Sequence, residues 1–280
     1  MMVFLNNKII PVEEAGISPF DRGFLFADGV YESIRTYNKK LFRYEDHIER
    51  LRRSLKETRI DFKEFESLEN ITYELMIKNE IENEALVYLQ VTRGSAIPRT
   101  HSFPKEKISP TLFISVKEFK EDIEEQEKGV KVILQEDIRW LRCDIKSTSL
   151  LPVVLASQKA TEENAVEAIL VRDGLLTEGT HTNFFAIKNE TVFTAPKSRL
   201  ILEGITRKVV LEFCEKFKVD FREEFISKDD LKSFDEFFIT STTKEITPVT
   251  SIDYWIINQG EPGKITKSLQ AVFKKIAEDY

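Results

Sequence analysis

The chain has 280 residues, 41% hydrophobic and 32% charged, with a net charge of −7. That is an ordinary globular composition, with chain enough for one large domain or two modest ones. The acidic balance argues against a general nucleic-acid or anionic-membrane surface, though not against a local basic pocket for an anion. No apolar run approaches the roughly 20 residues that span a bilayer. The start, MMVFLNNKIIPVEE, lacks a basic segment followed by an apolar one. Cys143 and Cys214 show neither metal-ligand spacing nor a disulfide framework. The expectation is a cytoplasmic protein without metal, membrane or nucleic-acid partner.

In chain order, residues 2–5 and 8–12 flank Asn6-Asn7 and predict a hairpin. Over 43–60, Tyr44, Ile48, Leu51 and Leu55 form one stripe of an amphipathic helix, and a second helix is predicted over 65–78. Residues 86–92 and 111–116 are rich in β-branched and aromatic side chains and predict strands. Nine of the twelve residues 117–128 are charged, which predicts an exposed connection and a domain boundary. The division is an N-terminal α/β domain over 1–119 and a C-terminal domain over 120–280. In the latter, strands are predicted at 130–134, 167–171, 183–187 and 236–240. Helices are predicted at 150–164, after Gly204 and over 266–280. The fold class is α/β (α+β) in two domains.

Lys146 stands in Trp140-Leu141-Arg142-Cys143-Asp144-Ile145-Lys146-Ser147, just ahead of an apolar helix. Nearby burial favours a neutral, nucleophilic amine, yet a solvated lysine at a strand end fits equally. Glu178, in Thr177-Glu178-Gly179-Thr180-His181-Thr182-Asn183, suits a polar ligand pocket or a plain turn. Gly204-Ile205-Thr206 opens a helix whose free N–H groups attract anions, and Ser241-Thr242-Thr243 ends a strand with three hydroxyls. Arg50 lies off the apolar stripe and reads by default as solvated, while His47 flanks the stripe and reads as structural. Arg99 could fork onto a carboxylate beside His101, or simply belong to a loop. No single one of these decides the function.

Together these segments resemble the class IV aminotransferases of fold type IV pyridoxal-phosphate (PLP) enzymes. The likeness runs from Asp21-Arg22-Gly23 to Glu245-Ile246-Thr247-Pro248. The D-amino-acid branch is resembled most through Val91-Thr92-Arg93-Gly94, Pro98-Arg99-Thr100-His101, residues 136–147 and residues 235–243. The resemblance implies two domains with PLP at their interface, and a homodimer with a shared active site. It implies that Lys146 binds PLP covalently and shuttles the substrate proton, and that Glu178 pairs with the pyridine nitrogen. Arg50 would hold the phosphate with the N–H groups of Ile205 and Thr206 and the Thr242 hydroxyl. Tyr31, Arg99 and His101 would bind the substrate carboxylate, the last two reaching in from the partner chain. The implied reaction passes the amine of a D-amino acid such as D-alanine to a 2-oxo acid such as 2-oxoglutarate. A branched-chain L-amino-acid aminotransferase, an aminodeoxychorismate lyase and a non-catalytic module are the rival readings. Two departures from the D-specific pattern stand out: one extra residue ahead of Arg99, and Thr180-His181-Thr182 in place of serines.

Overall fold

The computed structural model describes Met1–Tyr280. The chain forms two compact units, one of Met1–Lys120 with Ile145–Ser149 and Tyr280, the other of Glu121–Asp144 with Leu150–Asp279. A division into 1–119 and 120–280 therefore leaves out a short return of the chain, and that return carries Lys146.

The first unit contains β1 (Met2–Leu5), β2 (Lys8–Pro11), α1 (Arg22–Phe26), β3 (Gly29–Tyr37), β4 (Lys40–Leu41), α2 (Tyr44–Thr58), α3 (Phe65–Lys78), β5 (Ala85–Thr92) and β6 (Thr111–Glu118). Its sheet runs β2-β1-β6-β5-β3-β4, with every pairing antiparallel. Ile48, Leu51 and Leu55 of α2 bury against Val30 and Ile34 of β3 and Val87 and Leu89 of β5. Full burial of each such side chain is worth about 1.5–3 kcal/mol. The stripe read from the sequence is thus the core face of α2. The segment Ile145–Ser149 runs beside the start of β3. Tyr31 N–H donates to the Lys146 carbonyl at 3.0 Å, Thr148 N–H donates to that of Gly29 at 3.0 Å, and Ile145 enters the core.

The second unit contains α4 (Ile123–Lys128), β7 (Val130–Glu136), α5 (Leu151–Glu162), β8 (Glu167–Arg172), β9 (Leu175–Gly179), β10 (Asn183–Lys188), β11 (Thr191–Thr194), α6 (Ile205–Phe217), β12 (Phe221–Glu223), β13 (Glu236–Ser241), β14 (Glu245–Ile252), β15 (Trp255–Ile256) and α7 (Lys264–Glu278). Its sheet runs β12-β11-β10-β13-β14-β7-β8-β9, with β15 paired to β14. The pairs β7–β8, β7–β14 and β11–β12 are parallel. Parallel neighbours cannot be joined by a tight turn, so β7 and β8 need a crossover. Residues 137–166 supply it, passing through Ile145–Ser149 before α5.

Several expectations change. The charged stretch 117–128 is not all connection: Asp122 accepts from Glu125 N–H at 3.2 Å and caps α4. Glu178 lies in strand β9, not in a turn. Strands β3, β9 and β14 had no counterpart among the predicted elements. No helix is long and apolar enough to cross a membrane.

Leu51→Ala is expected to lower stability by about 2–5 kcal/mol through the cavity it leaves, measured by urea unfolding. An unchanged midpoint would mean that α2 does not pack as described.

Candidate active site

In the first unit, alternation along β3 turns Val30, Glu32 and Ile34 inward while Tyr31 and Ser33 stay half-buried on the other face. Glu32 is thereby a carboxylate on a core face, fully buried, and it needs partners. They come from α2. Arg50 donates from Nε to Glu32 Oε1 at 2.8 Å and from Nη2 to Oε2 at 2.7 Å, and His47 Nδ1 lies 2.8 Å from Oε2. Burial alone would raise the Glu32 pKa, but the charge and hydrogen bonds of Arg50 and His47 outweigh it and hold it well below the usual range. Burial lowers the His47 pKa against the pull of Glu32. Arg50 and His47 are both inside, and the solvated default for Arg50 is corrected. The sequence stripe marks apolar side chains only and misses a polar pair that is satisfied from another element.

On the other face of β3, the Lys146 amine lies 4.4 Å from the centre of the Tyr31 ring. The Lys146 backbone N–H donates to Ser54 Oγ of α2 at 3.3 Å, and Ser147 bridges to Val30. A flexible side chain thus projects from a fixed backbone.

Arg99 and His101 lie exposed on a loop after the cis Ile97–Pro98 bond, and they meet on one ring. The Arg99 guanidinium sits 4.4 Å from the centre of Phe26, and the His101 ring lies 5.4 Å from it.

In the second unit, Glu178 on β9 is buried. Its Oε1 accepts from Arg139 Nη1 at 2.5 Å, and its Oε2 accepts from Asn183 Nδ2 at 3.1 Å and Leu202 N–H at 3.0 Å. Burial nonetheless pushes its carboxyl up to about 7, over the opposing pull of Arg139. Arg139 is already forked onto Asp137, with Nε–Oδ1 and Nη2–Oδ2 both 2.9 Å. Asn183 also donates to the Leu202 carbonyl at 2.9 Å. A Cβ on Gly204 would fall 2.0 Å from Asn183 Oδ1, so only glycine lets this loop lie against Asn183. Gly204 then begins α6 with no side-chain cap, leaving the first-turn N–H groups of Ile205 and Thr206 to meet an anion. Thr242 sits in the turn from β13 to β14. Beside it in the chain, the buried Thr240 hydroxyl opposite Asn183 has no partner. No group of three or more His, Cys, Asp or Glu side chains is placed to hold a metal ion.

The structure thus gathers Tyr31, Arg50 and Lys146 in one unit, with Arg99 and His101 together on its loop. It gathers Glu178, Ile205, Thr206 and Thr242 in the other. Sequence reasoning missed Glu32, Arg139 and Asn183. Only Glu32 left a trace, a charge at an inward position between Val30 and Ile34.

The model of the family Amino-transferase class IV matches residues 29–252. The chain is 42% identical to a D-alanine aminotransferase of Staphylococcus epidermidis, over 99% of this chain and 98% of that protein. It is 45% identical to a D-alanine aminotransferase of Bacillus licheniformis, over 98% and 96%. Among solved structures, the branched-chain amino acid aminotransferase of Escherichia coli superposes with a TM-score of 0.90 at 24% identity, covering 98% of this chain and 93% of that one. The T.th. branched-chain amino acid aminotransferase with pyridoxamine 5'-phosphate has a TM-score of 0.88 at 25% identity, covering 99% and 94%. With a family model over most of its length and full-length relatives above 40% identity, this chain belongs to the class IV aminotransferases.

Proposed function

We propose a division of labour among these residues for the transamination of D-amino acids. The chain is a PLP-dependent aminotransferase that moves an amine between a D-amino acid, such as D-alanine, and a 2-oxo acid, such as 2-oxoglutarate. The observation that carries the D-amino-acid specificity is the full-length likeness to D-alanine aminotransferases. The branched-chain proteins share the fold at much lower identity.

The donor set suits the cofactor. A buried carboxyl whose pKa stands near 7 is matched to share a proton with a pyridine nitrogen. An uncapped helix start and nearby hydroxyls suit a phosphate. When bound, PLP supplies an electron sink for the charge left as the substrate Cα–H ionises.

Lys146 is the covalent anchor and the base, and its amine takes the proton from substrate Cα and returns it to the other end of the reacting system. Glu178 holds a proton at the pyridine nitrogen, oriented by Arg139, Asn183 and Leu202. Arg50, set by Glu32 and His47, would hold the phosphate, as would the N–H groups of Ile205 and Thr206 and the Thr242 hydroxyl. Tyr31, with Arg99 and His101 of a second protomer, binds the substrate carboxylate. Lys146 approaches from one side, so the Cα hydrogen must point that way. The choice between D and L is then the choice of which side receives the carboxylate. Leaving polar groups unpaired on that side costs about 1–3 kcal/mol each, which disfavours L-substrates.

The protein is a cytoplasmic homodimer. The exposed apolar side chains Phe24 and Ile97, near the loop of Arg99, support a second copy as the partner.

Four outcomes are expected. Lys146→Ala abolishes steady turnover, and near-normal rates without added amine would take Lys146 out of the reaction. Arg99→Ala raises KM for D-alanine steeply and erodes the D/L ratio while the cofactor absorption stays. A wild type faster on L-leucine or L-valine than on any D-amino acid would sink the D-amino-acid assignment. Glu178→Gln lowers kcat more than KM. In cofactor-free protein, native Glu178 keeps its proton to about pH 7, whereas the unfolded chain loses it near the ordinary value of 4.5. Wild type therefore loses stability relative to Glu178→Gln as pH rises through that window. A gap independent of pH in urea titrations would contradict the raised carboxyl.

A further inference from the structure

Asp21-Arg22-Gly23 lies ahead of the family match over residues 29–252 and has no part in the roles above. In the structure each of the three residues has a task. Asp21 accepts from Gly23 N–H and Thr92 Oγ1, both at 2.8 Å, and from Thr111 Oγ1 at 2.6 Å, fixing α1 to β5 and β6. Gly23 has no room for a side chain, because a Cβ there would fall 2.2 Å from Thr92 Cγ2.

Arg22 is 4% exposed and points toward the loop of Arg99 and His101. Its Nε donates to Asp28 Oδ2 at 2.8 Å. Its Nη1 donates to the Thr100 carbonyl at 2.7 Å and more weakly to that of Ser102 at 3.4 Å, and its Nη2 donates to the His101 carbonyl at 3.3 Å. The guanidinium carbon also lies 4.8 Å from the centre of the Phe26 ring, the ring on which Arg99 and His101 rest. Asp28 is fixed in turn by Arg93, through Nε to Oδ2 at 2.7 Å and Nη2 to Oδ1 at 2.9 Å. Arg93 donates onward to the carbonyls of Thr58 and Arg59, at 2.7 and 2.8 Å. An exposed loop with no regular structure is therefore tied, through three successive carbonyls, to a buried ion-paired guanidinium.

We propose that Arg22 is the positioning residue for the Arg99–His101 loop, and so sets how tightly the enzyme holds its substrate's carboxylate. Charge-assisted bonds to successive carbonyls fix the loop backbone more firmly than a neutral contact could. The shared Phe26 ring then limits where the two side chains can swing. Arg22 does not touch substrate; it acts through Arg99 and His101. The proposal rests on the carboxylate role given to those two residues above.

The test uses holoenzyme carrying Arg22→Met, Arg22→Lys, Arg99→Ala, or Arg22→Met with Arg99→Ala. Lysine keeps the charge beside Asp28 but cannot span Asp28 and three carbonyls, so it remains informative if the methionine variant folds poorly. KM for D-alanine is expected to rise about tenfold or more in either Arg22 variant with kcat and cofactor absorption little changed, the signature of lost ground-state binding. Added to Arg99→Ala, the Arg22 change should have a clearly smaller effect than it has alone, since only His101 is left for it to position. Trypsin should also cut after Arg99 faster in the Arg22 variants. Wild-type KM in both Arg22 variants overturns the proposal, as does a full multiplicative effect in the double variant. Failure of the carboxylate assignment has a different signature: Arg99→Ala alone would then leave KM for D-alanine unchanged, and the clamp would lose its function with it.

Discussion

A charge taken out of water needs a counter-charge held in place, and three parts of this chain are tied to such pairs. Glu32 holds Arg50, Asp137 holds Arg139, and Asp28 holds both Arg22 and Arg93. Removing one member of a buried pair costs about 3–5 kcal/mol, because the other is left uncompensated. Buried pairs of this kind add little net stability over apolar packing. What they add is position: a guanidinium forked onto a carboxylate has few orientations left, and its remaining donors point in fixed directions. One arginine is thus fixed on Glu32, another set toward Glu178, and a third toward a loop backbone.

Two buried glutamates show how the same side chain is given opposite properties. Glu32 has Arg50 forked across both oxygens and His47 beside it, and its carboxyl stays ionised. Glu178 has one guanidinium nitrogen, from an arginine already engaged by Asp137, together with one amide side chain and one backbone N–H. Burial wins at Glu178, and its pKa rises to about 7. The first is a permanent anion that organises a cation. The second is a carboxyl able to hold or release a proton near neutral pH. Burial is nearly equal, so the difference lies in how many opposing charges each carboxylate has to itself.

Much of this was legible in the sequence where a periodic apolar pattern runs long enough. Helix α2 fits its stripe of Ile48, Leu51 and Leu55, and α3 follows the pattern over 65–78. Strand β9 was not legible, because Thr177-Glu178-Gly179 has turn-forming residues in a strand stabilised by its neighbour β8. Strand β3 was missed because Glu32 interrupts its inward face with a charge satisfied from α2. The same cause hid Arg50. A polar residue facing inward looks like a polar residue facing out until its partner is known, and Glu32 lies 18 residues away in the chain. The family was legible because the order of long segments carries information that single positions do not.

The parallel pairing of β7 and β8 explains where Lys146 can be. Such a pair requires a long crossover, and a crossover is free to leave its own sheet and return. Here it visits the first unit for Ile145–Ser149 and is anchored there at successive backbone positions, by Tyr31 N–H, the Ser147 bridge to Val30 and Thr148 N–H. Anchoring falls on the backbone and spares the amine, which projects over the Tyr31 ring. A residue that both bonds to a cofactor and carries a proton between two atoms must move its terminal nitrogen while its Cα stays fixed. Lysine's four-carbon stem provides that reach. An anchored backbone confines the motion to the side chain, so the nitrogen stays on one side of the reacting carbon. On the proposed carboxylate role of Arg99 and His101, stereochemistry then turns on their loop, which the buried Arg22 holds by its backbone.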